Sequence, residues 1–164
     1  MALLVFGGVT SNNEIKRNIP VNLIVVIIGA LSLATALEKS GLINQMMQII
    51  GPWASSVSPI WALVMVYILT LILTELVTNN AAAALMFPLA YGLVQTLGLP
   101  IMPFALAVAF AASASFISPY GYQTNLLVFS ASDYKFKHFV KFGLPISICY
   151  SSIVLLLLKY SYGL

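Results

Sequence analysis

The sequence predicts an all-α integral membrane protein in which one helical hairpin turns back inside the bilayer and one transmembrane helix is broken. Three observations carry that expectation. The 164 residues are 61% hydrophobic and 7% charged, with a mean hydropathy of +1.02. Soluble domains are about 25% charged, so seven Lys and Arg with four Asp and Glu cannot cover a water-facing surface. The few charges leave long gaps, and two polar strings containing Asn, Pro or Gly interrupt the longest gap.

That composition excludes an ordinary globular enzyme, a disordered tail and a nucleic-acid binder. The net charge of +3 reflects a shortage of acids and is no sign of a DNA-binding face. The one cysteine, Cys149, permits neither an internal disulfide nor a Cys-based metal site. The one histidine, His138, removes His-rich metal sites and leaves His-dependent triads without support.

Taken in order, residues 1–10 read as the end of a helix, apolar but too short to cross and lacking the basic start of a signal peptide. The chain therefore reads as a piece of something longer. Positions 18–37 are 20 residues without a charge, about 30 Å of helix, which predicts a transmembrane helix over 20–38. Residues 42–50 mix amides with apolar side chains and are expected to lie in the interface. Gly51-Pro52 with Ser55, Ser56, Ser58 and Pro59 predicts a loop.

From 40 to 132 there are 93 residues and one charge, Glu75. Residues 60–97 predict a re-entrant hairpin, with arms 60–77 and 81–97 and the tip 78–80, Thr78-Asn79-Asn80. Gly98-Leu99-Pro100 with Pro103 makes the next turn. A broken helix is expected over 103–132, with halves 104–117 and 124–131 and the break at 118–123. Pro119 removes a donor and disfavours helix before it, and Gly121 permits backbone shapes other residues resist. Positions 142–158 are 17 charge-free residues, predicting a last transmembrane helix over 142–160.

Basic loops set orientation. Lys16 and Arg17, with Lys135, Lys137 and Lys141, place five basic residues on the cytoplasmic side, against Lys39 and Lys159 opposite. His138 reads as a solvated loop residue, and Trp53 and Trp61 as interfacial anchors. This count needs 60–97 to return to the face it left, by two full crossings or by a re-entrant hairpin. The tip holds no basic residue, which favours a polar site inside the membrane.

Irregular backbone at membrane depth survives only where protein or a water-filled cavity surrounds it. Each polar string brings together a helix end, with free carbonyls and partial negative charge, and a helix start, with free N–H groups and partial positive charge. The ends near Val77 and Ile117 suit a cation, and the starts near Ala81 and Thr124 suit an anion. Broken helices of this kind are a recurring device of secondary transporters. Thr78, Asn79, Asn80, Thr124 and Asn125 add hydroxyl and amide ligands without net charge. The plain alternatives are an exposed turn at 78–80 and a simple kink at Pro119. Glu75 costs roughly 2.5–3.5 kcal/mol on insertion scales, and its structural reading is a cap for the tip's own N–H groups.

The run 74–88, Thr-Glu-Leu-Val-Thr-Asn-Asn-Ala-Ala-Ala-Ala-Leu-Met-Phe-Pro, resembles the second hairpin of the divalent-anion:sodium symporter (DASS) family. The run 118–126, Ser-Pro-Tyr-Gly-Tyr-Gln-Thr-Asn-Leu, followed by Tyr134-Lys135-Phe136 and Phe142-Gly143-Leu144-Pro145, resembles its broken helix and the entry to its last helix. The second string is most similar to bacterial permeases of the sulfate and dicarboxylate branch. The resemblance covers essentially the whole chain and implies the C-terminal one of two inverted repeats.

It further implies a substrate site at Thr78, Asn79, Asn80, Thr124 and Asn125, and a sodium site at Asn79 and the backbone of Ser118, Pro119 and Gly121. Asn80 stands where the family has a hydroxyl, which bears on substrate and ion stoichiometry. The implied activity is sodium-coupled symport of a di- or tricarboxylate or sulfate, as part of a multi-pass protein of the inner (plasma) membrane. Sodium is the coupling ion and no other cofactor is implied. Implied partners are the small anion, the lipid bilayer, a missing N-terminal repeat or a chain supplying it, and further copies in a homo-oligomer; nucleic acid is not among them. The rivals are an inorganic-ion permease or antiporter of the same superfamily, a non-transporting truncated or accessory membrane protein, and an intramembrane enzyme. The last lacks any catalytic constellation at depth.

Overall fold

The computed structural model describes residues 39–54, 58–131 and 133–164, with isolated positions between 24 and 36. The helix end expected over 1–10, the basic pair Lys16 and Arg17 and the side chain of Trp53 lie outside the described residues. Of the helix expected over 20–38, the described positions are helical.

Six helices follow: α1 (Leu42–Ala54), α2 (Pro59–Leu76), α3 (Asn79–Leu97), α4 (Ile101–Ala112), α5 (Gln123–Ala131) and α6 (Phe136–Tyr162). Among the described residues, α2, α3 and α6 are each long and apolar enough to cross a membrane. The chain is an all-α membrane protein. Its helix α1 runs through Gly51-Pro52, where a loop was expected. Pro52 gives up only the rung to Gln48, and the helix closes two residues later.

Helix α2 starts on Pro59, whose missing N–H costs nothing at a helix start. Its 18 residues rise about 27 Å, close to the thickness of a hydrocarbon core. Ala62, Leu63, Val66, Tyr67, Thr70 and Thr74 form its buried stripe, while Trp61, Ile68, Leu69 and Ile72 stay exposed. An apolar exposed face suits lipid or further protein and not water. Helix α3 returns alongside and ends on Gly98, whose φ of 64° is the left-handed conformation that favours glycine at a helix C-terminus.

Helix α4 packs against both arms of that hairpin and carries the centre of the core with Phe104, Ala107, Val108 and Ala111. Helix α6 lies on the same bundle through Gly143, Ser147, Ser151, Val154 and Leu158, a stripe at helical spacing. Its small residues allow close approach. Tyr67, fully buried, donates from its hydroxyl to Ser151 Oγ at 3.2 Å, and the Tyr150 hydroxyl donates to Phe110 O at 3.4 Å.

Further boundaries differ from expectation, the first being that α4 begins at Ile101, which puts Pro103 in its first turn and not in the preceding loop. The helix expected over 104–117 ends at Ala112, so the break covers ten residues, 113–122. Helix α6 begins at Phe136 and not near 142, taking Lys137, His138 and Lys141 out of the expected loop and onto its first turns. His138 explains the early start: its Nδ1 accepts from Lys135 N–H at 3.2 Å, and its backbone N–H donates to Lys135 O at 2.8 Å. Helix α5 has no buried residue. Aromatic rings hold it to the start of α6, with Phe129 edge-on to Phe139 at 5.9 Å and Tyr120 between Phe129 and Phe136.

Candidate functional site

The hairpin turns on two residues, Val77 and Thr78, both extended. Asn79 and Asn80 therefore occupy the first turn of α3 and not a loop. Thr78 is its N-cap: Oγ1 accepts from Ala81 N–H at 3.4 Å and its carbonyl accepts from Ala82 N–H at 2.9 Å. The N–H groups of Asn79 and Asn80 have no acceptor within the helix, as at any helix start.

Asn79 reaches from this tip to the break. With its amide turned so that nitrogen meets acceptors, Nδ2 donates its two hydrogens to Ala112 O and Gly121 O at 3.1 Å each and lies 2.9 Å from Thr74 Oγ1. Thr74, fully buried, donates in turn to Ala112 O at 2.7 Å. One amide thus binds the carbonyl that ends α4 and the carbonyl of Gly121. Gly121 is buried, and a Cβ there would collide with Ser115 Oγ and with Thr74 O. The position needs glycine for space.

Glu75 performs a different task from the one expected. Its carboxylate does not cap its own tip, which Thr78 serves. Oε1 accepts from the N–H groups of Phe116 and Ile117 at 3.0 Å each, and Oε2 from Ser118 N–H at 2.6 Å, with Ser115 Oγ at 3.4 Å. Bonds to an ionised acceptor are the stronger kind, and here they satisfy three donors that no helix supplies.

Asn125 serves the carbonyls of the same segment. Its Nδ2 donates to Ser115 O at 3.0 Å and lies 3.5 Å from Ser118 O. Ser118 and Pro119 are buried, and Ser118 Oγ accepts from Tyr120 N–H at 3.1 Å. Among the expected site residues, the structure thus brings Asn79, Ser118, Gly121 and Asn125 onto one break, with Glu75 beneath it. Thr78, Asn80 and Thr124 are exposed, on the starts of α3 and α5.

Sequence reasoning gave no role to Thr74 or Gly143, and Ser115 counted only as one of the small residues of 105–115 that allow close helix approach. Gly143 lets the backbone of α6 touch the break, because a Cβ would meet Phe116 O and come within 2.9 Å of Ile117 Cα. A glycine inside a strongly apolar helix was the available signal. Gly143 follows Lys141 by two residues, so the break lies near the basic end of α6. It is about 28 Å along the helix from Tyr162.

The sequence model of the citrate transporter family matches residues 1–109. An uncharacterized transporter of Synechocystis sp. is 35% identical over 160 residues, covering 98% of this chain and 26% of the relative. The probable sodium/sulfate cotransporter 3 of Chlamydomonas reinhardtii is 32% identical over 162 residues, covering 97% of this chain and 18% of the relative. Sodium/sulfate cotransporter 1 of the same organism is 32% identical over 150 residues, covering 90% and 17%. The chain spans about a quarter or less of the length of these relatives.

Proposed function

This chain belongs to the citrate transporter family, a family of transporters and not enzymes, and on that premise we propose that it forms part of a sodium-coupled symporter for a divalent oxyanion. The observation that carries the reading is the Asn79 amide, which joins the hairpin tip to the Ala112 and Gly121 carbonyls of the break. Two helix starts and a set of backbone carbonyls then border one polar region in an apolar bundle. The Thr78 hydroxyl, the Asn80 amide, the free N–H groups of the α3 start and Thr124 would take the anion. Asn79 and carbonyls of 118–121 would border the sodium ion. Asn125, whose amide nitrogen is spent on Ser115, holds the break in shape.

Charge explains the coupling. A dianion entering a negative-inside cell is opposed by about 4.6 kcal/mol per 100 mV, twice the single-charge value. Each sodium ion bound beside it cancels one of the two charges and adds its own gradient. Sulfate and di- or tricarboxylates share the needed chemistry, and the sodium/sulfate relatives favour sulfate. An antiporter needs a group that exchanges its proton. Glu75 is the one acid between 40 and 132, and three N–H groups and a hydroxyl hold its carboxylate. Both of its oxygens are thereby committed to holding the break. The membrane assigned by this reading is the plasma membrane.

The test is uptake of labelled sulfate, citrate and succinate into proteoliposomes by the native gene product carrying these residues, with and without a sodium gradient. Sodium-dependent uptake of at least one anion is expected, with Asn79→Ala abolishing it in protein that remains folded. Wild-type uptake indifferent to sodium, or full activity in Asn79→Ala, would refute the reading.

A further inference from the structure

We propose that Glu75 is a positioning residue for this transport, its carboxylate acting as a built-in anion that fills an N–H concavity in the break and so fixes the direction of the break's carbonyls. The inference rests on the transport reading above. Three successive amides, those of Phe116, Ile117 and Ser118, turn to one side and meet the two oxygens of one carboxylate, Phe116 N–H sharing itself between Glu75 and Ala114 O at 3.0 Å each. Backbone of that shape is an anion receptor in its own right.

Left open near the place where a transported anion binds, the concavity would compete for that anion. Filled by Glu75, it offers no positive potential. The excess negative charge also favours a cation beside the neighbouring carbonyls. The carboxylate comes from the last turn of α2, 41–43 residues away in sequence. The concavity therefore keeps this form only while hairpin and break stay together. Asn79 makes the second tie, through donors where Glu75 uses acceptors.

Glutamine cannot replace this group. It has one acceptor oxygen, and its NH₂ would face N–H donors. Aspartate keeps both oxygens and the charge but is one methylene shorter. The experiment compares wild type, Glu75→Gln and Glu75→Asp of the native gene product in lipid nanodiscs and proteoliposomes. The first readout is amide hydrogen exchange at 116–118, which does not depend on transport. The second is the sodium concentration for half-maximal uptake, set against maximal rate per folded protein.

Glu75→Gln is expected to speed exchange at Ile117 and Ser118 by at least about tenfold, the loss of one or two charge-assisted bonds, and less at Phe116, whose N–H keeps Ala114 O. It is also expected to raise the half-saturating sodium concentration by a similar factor, with Glu75→Asp recovering part of both. Unchanged exchange in Glu75→Gln overturns the filled concavity. Faster exchange with unchanged sodium dependence, and only a lower maximal rate, overturns the positioning role and leaves a structural one. Faster exchange in a protein whose wild type shows no sodium-dependent uptake points to failure of the transport reading, not of the concavity.

Discussion

Adding one methyl group at Gly121 tests whether hairpin and break are locked together. The backbone of Gly121 is not in the left-handed region, so alanine meets no conformational penalty and the cost is one of space. The new Cβ would overlap Ser115 Oγ and Thr74 O. The first can rotate away at the expense of its 3.4 Å contact with Glu75. The second is backbone in the last turn of α2 and cannot move without moving the hairpin. Overpacking of this kind costs about 1–3 kcal/mol, and loss of the Asn79 bond to Gly121 O adds about 1 kcal/mol. Together they give about 2–4 kcal/mol, a 30- to 1,000-fold change at about 1.4 kcal/mol per tenfold.

The expected result is a lower unfolding midpoint in detergent and a comparable loss of sodium-dependent uptake for Gly121→Ala. Gly29→Ala, at a helical position with open space around it, serves as the control. Adding Ser115→Ala should restore only part of the loss, because the Thr74 carbonyl remains in place. A Gly121→Ala protein as stable as wild type would refute the close approach. Full rescue by Ser115→Ala would show that the backbone contact carries none of the cost.

Two further substitutions probe the same joint. Thr74→Val keeps the shape of a fully buried side chain but removes the 2.7 Å donor to Ala112 O, which keeps only the Asn79 amide; it should destabilise by about 1 kcal/mol, with Thr74→Ser near wild type in the same melt, and equal melting of all three proteins would remove the hydroxyl from the account. Asn79→Asp puts a carboxylate oxygen where an amide nitrogen now meets the carbonyls of Ala112 and Gly121; it should melt below Asn79→Ala, and the reverse order would mean that the amide oxygen, not the nitrogen, faces the break.

The membrane class was legible because it depends on composition, which no tertiary contact alters. The places where helices fail were legible too, since Thr78, Pro119 and Gly121 act through their own backbone chemistry. The extent of the second failure was not. Ser113, Ala114 and Ser115 sit in an Ala-rich run that helix tolerates, and nothing local ends α4 at Ala112. Beside Pro119, what replaces the helix acceptors for 116–118 is Glu75, a partner some forty residues away. The same distance hid the true task of Glu75. Sequence places it three residues before the tip, whereas packing of α2 on α4 turns it to the break.

The division of labour at the break follows from its burial. With no water to satisfy it, irregular backbone needs acceptors for its N–H groups and donors for its carbonyls. A carboxylate accepts several bonds and donates none, while an amide NH₂ donates two. One acid therefore serves the clustered donors at 116–118. Two asparagines serve the scattered carbonyls, Asn79 at Ala112 and Gly121 and Asn125 at Ser115. Among the described residues no buried side-chain polar atom is left without a partner. Exchanging the two residue types would fail on both sides, since an amide at 75 faces donors and a carboxylate at 79 faces carbonyls. The single charge in 93 residues is thus placed where only a charged acceptor can close the backbone's account. The Thr78 hydroxyl oxygen is spent on capping α3, whereas the side chains of Asn80 and Thr124 lie exposed at the two helix starts.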